Sequence, residues 1–203
     1  MNTEEKQLMK DKNEAVSAYS KYVREHISYV HLAFISFGDK ICNDLEARYN
    51  GVHDLYNRVR IRVMKHDNSK FSDDEFIPYV QKFYAWKGMD KTQEQVDEEF
   101  NKAFIHHTKC NDHHPEHWIE WSEIQKRNIS IAMDDEAIVE MLLDWIAMSM
   151  ARNQSVYKWW TTDNGGREEK KSLMDKMDFK FVDQWIEDNK DLINFSNRNT
   201  GDK

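Results

Sequence analysis

His66 and Asp67 stand side by side in the run Met64-Lys65-His66-Asp67-Asn68-Ser69-Lys70, where an imidazole nitrogen and a carboxylate oxygen can reach one metal ion. Further donors lie along the chain: His26 and His31 upstream, and His106, His107, His113, His114 and Asp144 downstream. Nitrogen and oxygen donors of this kind suit a hard or borderline divalent ion, Mn, Fe, Mg, Co or Zn, rather than a thiolate site. Five histidines fall between positions 106 and 117. A solvated loop or an adventitious metal patch would account for some of them. We favour a reading in which His107 closes one helix while His113 and His114 open the next, so that both ends face a pocket that ligates metal or binds a phosphoryl oxygen. Asn111 and Glu116 are suited to orienting those rings.

Four further residues are open to more than one reading. Asp144 lies among Leu142, Leu143, Trp145 and Ile146, where burying a carboxylate is costly unless it is paired or bound to a cation. Alternatively it faces water, paired with Arg152 or a neighbouring helix. His26 and His31 are about 140° apart around a helix, so at most one should meet the His66-Asp67 pair, and periodicity does not choose. Lys70 comes four residues after His66; its ammonium either holds a substrate phosphate near the metal or points to solvent. His53 and His117 carry no functional reading.

The elements that must position these groups read as helices. Glu4 to Cys42 forms one long helix with a stripe of Val23, Ile27, Val30, Phe34, Phe37 and Ile41, which Gly38 could end or bend. A second runs from Val52 to His66 and stops at Asp67-Asn68-Ser69. Ser72 with Glu75 has the form of a capping box for a helix through Phe83 and Tyr84; Thr92 with Gln95 is a weaker start for one reaching His107. Pro115 suits the first turn of a helix carrying Trp118, Trp121 and Ile124. Asp134 or Asp135 caps an apolar helix of Ile138, Met141, Leu142, Trp145, Ile146 and Met148. Asn164-Gly165-Gly166 is the one clear linker, before a C-terminal helix with Phe181, Trp185 and Ile186. No repeat and no strand is evident. The expectation is an all-α protein with a single helical domain over 1–193 and a flexible tail over 194–203.

Bulk properties narrow the function. A formal charge of −8 argues against a duplex-binding surface, although a local basic rim for one phosphorylated ligand remains compatible. No apolar run is long enough for a membrane span, and Met-Asn-Thr-Glu-Glu-Lys lacks a signal-peptide core. Cys42 and Cys110 stand apart, as reduced thiols of a cytoplasmic protein would.

The order His … His-Asp … Asp, with Lys70 four residues after the paired histidine, resembles the HD-domain superfamily of metal-dependent phosphohydrolases. Those proteins are helical and bind one or more divalent ions. The added His107, His113 and His114 resemble the branch with two- or three-metal sites, and a smaller branch with similar ligands holds a diiron centre and performs oxygenation. A closer resemblance is to uncharacterised phage and bacterial proteins with three blocks, matched here by His66 to Phe76, His107 to Trp118, and Glu140 to Trp145. In such proteins the upstream histidine follows Val-x-Glu, as His26 does, which favours His26 over His31.

The resemblance implies a helical metal-binding fold. We therefore expect hydrolysis of a phosphoester or phosphoanhydride in a small nucleotide-like substrate, in a bacterial or phage-infected cytoplasm. His26, His66, Asp67 and Asp144 would hold the first ion. His107, His113 and His114 would hold a second ion or the substrate phosphate, with Asp67 bridging. Asp67, Lys70, His113 and His114 would act on the substrate, while Trp118 and Trp145 belong to the core. Two alternatives use the same residues: a diiron oxygenase, and a non-catalytic module that sequesters a nucleotide or blocks a protein.

Overall fold

The apolar stripe read from Val23 to Ile41 lies along a single helix of 44 residues, α1 (Thr3–Glu46). Val23, Val30, Phe34, Phe37 and Ile41 are buried, as that spacing predicts. Gly38 does not end the helix. A Cβ there would sit 2.6 Å from the Phe34 ring, so the missing side chain makes room for that ring. The computed structural model describes residues 3–47, 54–86, 89–162 and 166–196. His53, the start of a helix at Val52, the linker residues Asn164 and Gly165, and the tail over 197–203 lie outside the described residues.

The protein is all-α apart from one small hairpin. Residues up to 27 and from 67 to 111 form one compact unit; residues 28–66 and 112–203 form a second. In the first, the N-terminal part of α1 joins a 3-10 turn (Asn68–Phe71), α3 (Phe76–Phe83) and α4 (Gln93–Cys110). Tyr19, Val23, Tyr79, Val80 and Ala103 make its core, with the Tyr19 ring edge-on to Phe76 at 5.3 Å. The two expected helix starts exchange rank. Thr92 and Gln95 form the full reciprocal capping box, the Thr92 side chain accepting from the Gln95 amide and the Gln95 side chain from the Thr92 amide. Ser72 and Glu75 form none: α3 begins after Glu75, whose carboxylate makes no cap bond.

In the second unit, α2 (Leu55–Val63) and α5 (Asp135–Ala151) pack with the C-terminal part of α1, α6 (Val156–Thr161), α7 (Gly166–Leu173) and α8 (Lys176–Asp188). Helix α5 buries Ile138, Met141, Leu142, Leu143, Ile146 and Ala147, which leaves it little room to show water a face. Each of the Ile, Leu and Met side chains contributes roughly 1.5–3 kcal/mol when fully buried.

The helix expected from Pro115 through Ile124 is absent. A 3-10 turn (Pro115–Trp118) leads instead into an antiparallel hairpin, β1 (Ile119–Ser122) and β2 (Arg127–Ser130), in register from Ile119 opposite Ser130 to Ser122 opposite Arg127. The apolar residues that suggested a helix do not share a buried face. Trp118 packs on the core, while Trp121 and Ile124 are exposed. Lys126, at φ 52°, supplies the left-handed residue that returns the chain. Near the other end, Asn194 pairs with Ser155 and Phe195 is buried edge-on to Phe37, so the first residues of the expected tail are packed. Among the described residues no helix is long and apolar enough to cross a membrane.

Candidate functional site

In the second unit the donors gather around α5. Glu140 and Asp144 are one turn apart and so share a face of that helix. His66 lies in the turn that follows α2. Its Nδ1 is 2.9 Å from Glu140 Oε1 and its Nε2 is 3.9 Å from Asp144 Oδ1. Burial alone would raise the Glu140 carboxyl, but hydrogen bonds from His113 and His66, and their charge, hold it well below the usual carboxylate range. An ionised carboxylate only accepts, so His66 donates from Nδ1 to Glu140. Glu140 is itself anchored: its Oε2 accepts from Arg62 Nε at 2.9 Å, and the Arg62 guanidinium also grips Asp112. His113 Nδ1 lies 3.5 Å from Glu140 Oε1, and the His113 ring packs at a tilt against those of His66 (centroids 4.5 Å apart) and His114 (4.4 Å).

The first unit repeats this construction. His107, in the last turn of α4, is 2.8 Å through Nδ1 from Glu75 Oε2, and its Nε2 lies 3.5 Å from Asp67 Oδ1. Burial would raise the Glu75 carboxyl, yet hydrogen bonds from His107, His106 and Ser69 lower it. Asn111 lies against the same residue. Its amide donates to Ser69 Oγ at 2.7 Å and to the His107 carbonyl at 2.9 Å. The other Asp67 oxygen faces Lys70 Nζ at 2.7 Å and His26 Nε2 at 3.4 Å. Asp67 occupies the left-handed region (φ 54°, ψ 18°), which a non-glycine residue enters at a cost that Asp and Asn bear best. That backbone turns the chain out of the residues after α2 and into the 3-10 turn carrying Lys70.

Every residue expected at the site thus lies against other members of the set. His26, Asp67, Lys70 and His107 come together in the first unit, and His66, His113, His114 and Asp144 in the second. His26, His66, Asp67, His107 and His113 are all at most 6% exposed. Of the two upstream histidines, His31 is spent elsewhere, 3.1 Å through Nε2 from the Val63 carbonyl. Two expectations need correction. His113 and His114 precede a 3-10 turn and open no α-helix. Glu116 pairs with Lys170 Nζ at 3.0 Å rather than bracing an imidazole among the described residues. Of the two readings of Lys70, the solvent-facing one does not hold: its ammonium lies against Asp67. Sequence reasoning passed over Glu75, Glu140 and Arg62. Glu140 had a signal, an acid one turn before Asp144 on an otherwise apolar helix.

A family model matches residues 15–188. The chain belongs to DUF5662, a family of unknown function. No curated protein and no solved structure matches it. The matched span contains every donor described above.

The donor chemistry fits a metal. In the second unit His66, His113 and Glu140 each offer one atom, all within 4.8 Å of one another and all buried. Imidazole nitrogen with carboxylate oxygen is a set that divalent transition ions accept readily. A carboxylate on the far nitrogen of a histidine, as Glu140 is to His66 and Glu75 to His107, fixes the tautomer and sharpens the ring as a ligand. These buried His, Asp and Glu groups could hold a metal ion.

Proposed function

We propose that this protein is a metal-dependent phosphohydrolase acting on a small phosphorylated substrate of nucleotide type, with His26, Asp67 and His107 in the first unit and His66, His113, His114 and Asp144 in the second as the candidate ligands of divalent ions. The observation that carries the reading is the paired construction Glu140–His66–Asp144 and Glu75–His107–Asp67, two imidazoles each clamped on one nitrogen and turned toward an aspartate on the other. Its resemblance to the ligand order of HD-domain proteins supports the choice of reaction. The chemistry a divalent ion supplies among such donors is a bound water acidic enough to be hydroxide near neutral pH.

The chain's own residues have defined tasks in this reading. Asp67 directs one oxygen to His107 and the other to His26, as a bridging carboxylate would. Lys70, already neutralising Asp67, is placed to take a phosphoryl oxygen once an ion shares that carboxylate. His113 and His114, their rings in tilted contact, offer donors for charge gathering on the phosphoryl group.

Metal analysis of the purified protein, followed by a phosphate-release screen of nucleotides and cyclic dinucleotides with Mn, Co, Mg and Fe, tests the proposal. His66→Ala and Asp67→Ala are expected to lose both bound metal and turnover. Turnover that survives either change overturns the mechanism. Oxygen consumption on aerobic addition of Fe(II) with an organic phosphonate, without phosphate release, would replace it with oxygenation.

A further inference from the structure

We propose a second, thiophilic metal site on the surface of the first unit, formed by Cys110, His106 and Glu75 with Asp74 beside them, and suited to Zn2+ or a similar borderline ion. None of these donors except Glu75 takes part in the buried histidine pairs. His106 and Cys110 are four residues apart near the end of α4, so their side chains share one helical face. Cys110 Sγ is 3.5 Å from His106 Nε2. Glu75, just before α3, places Oε1 2.8 Å from His106 Nδ1, and Asp74 Oδ2 lies 3.5 Å from His106 Nε2. One ligand atom each from Glu75, His106 and Cys110 fall within 4.8 Å of one another.

Two features set this group apart from a chance surface cluster. Its donors come from two elements, and the Glu75 carboxylate is fully buried and fixed by His107 through its other oxygen, so one ligand is pre-positioned. Cys110 is exposed, which leaves an entry path. Sulfur, nitrogen and oxygen donors with a position left for Asp74 or water fill a tetrahedral shell of the kind zinc adopts. On binding, the Cys110 S–H bond breaks, a sulfur–metal bond forms and the proton passes to solvent.

The test uses the full chain stripped of metal by a chelator. Co2+ should give a thiolate-to-cobalt charge-transfer band, which no imidazole–carboxylate site produces, so the outcome is independent of any hydrolytic activity. Zn2+ should protect one thiol from an aromatic disulfide reagent. That thiol is Cys110, because burial, reinforced by Glu46, pushes the Cys42 thiol up to about 12 and keeps it unreactive. Cys110→Ser should abolish the band, and His106→Gln should weaken Co2+ binding at that band at least roughly tenfold. Absence of the band at saturating Co2+, its persistence in Cys110→Ser, or an unchanged affinity in His106→Gln overturns the site.

Discussion

The two histidine pairs differ in what stands behind them. Behind His66, Glu140 is locked by Arg62, which is in turn held by Asp112, and the chain of partners ends there among buried or half-buried groups. Behind His107, Glu75 meets no guanidinium among the described residues. Its second oxygen accepts from His106, a partly exposed ring that also meets Cys110 and Asp74. One brace is closed and structural; the other opens onto the surface. The same local chemistry, an imidazole oriented by a glutamate, is therefore backed by half-buried groups in one unit and leads to exposed ones in the other. Buried polar networks reward full satisfaction and punish partial satisfaction, so the closed brace should be the costlier to break.

Glutamate-to-glutamine changes test that asymmetry most directly. Glu140→Gln keeps the volume but sets an amide against Arg62 and removes the ionised acceptor for His66. A loss of about 3 kcal/mol in denaturant unfolding of metal-free protein is expected. Glu75→Gln leaves His106 free to turn to water and should cost about half as much. Both variants should lose Mn2+ affinity by roughly 10- to 100-fold in calorimetric titration, since each disorients one ligand ring. If Glu75→Gln proves the more destabilising of the two, the distinction between a closed and an open brace is wrong.

The aspartates supply a smaller contrast. Asp144 sits on helical backbone within α5, whereas Asp67 sits at φ 54°. Asparagine and valine remove the charge from either position, but only asparagine tolerates the left-handed region. Asp67→Val should therefore melt below Asp67→Asn by an amount worth about 1–2 kcal/mol. Asn and Val at position 144 should differ by less, because their helix propensities are close. Equal stabilities of the two variants at 67 would mean that the strained turn is not built into the fold.

How much of this was legible depends on whether a residue's role follows from its own neighbourhood. The stripe along α1 and the apolar run of α5 identify those helices because burial of one face is periodic in sequence. The donors His66, Asp67, His107, His113 and Asp144 were legible for a different reason: few other residue types bind hard ions, and they cluster in short runs. The bracing glutamates were not, because an acid beside a helix start or within a helix has several commoner uses. Periodicity could not separate His26 from His31, since the partner that claims His31 is a backbone carbonyl at Val63, invisible to any pattern of side chains. The hairpin was missed because Trp118, Trp121 and Ile124 mimic a helical face that the fold does not bury.

The exchanged helix starts in the first unit give the smallest and cleanest check. Thr92 and Ser72 look alike in sequence, each a hydroxyl followed three residues later by an acid or amide. In the structure Thr92 Oγ accepts from the Gln95 amide at 3.3 Å, while Ser72 Oγ is buried with no hydrogen-bond partner among the described residues. The difference follows from Glu75. A carboxylate drawn away to two imidazoles cannot also reach back to the helix start, and without it the serine has no reciprocal bond to complete. Thr92→Ala should accordingly cost about 1 kcal/mol in thermal unfolding, the usual worth of a cap. Ser72→Ala should be neutral or slightly stabilising, because it removes an unsatisfied buried hydroxyl. A cost at Ser72 equal to that at Thr92 would show that Glu75 still serves α3, and that its hold on His106 and His107 is weaker than the 2.8 Å separations imply.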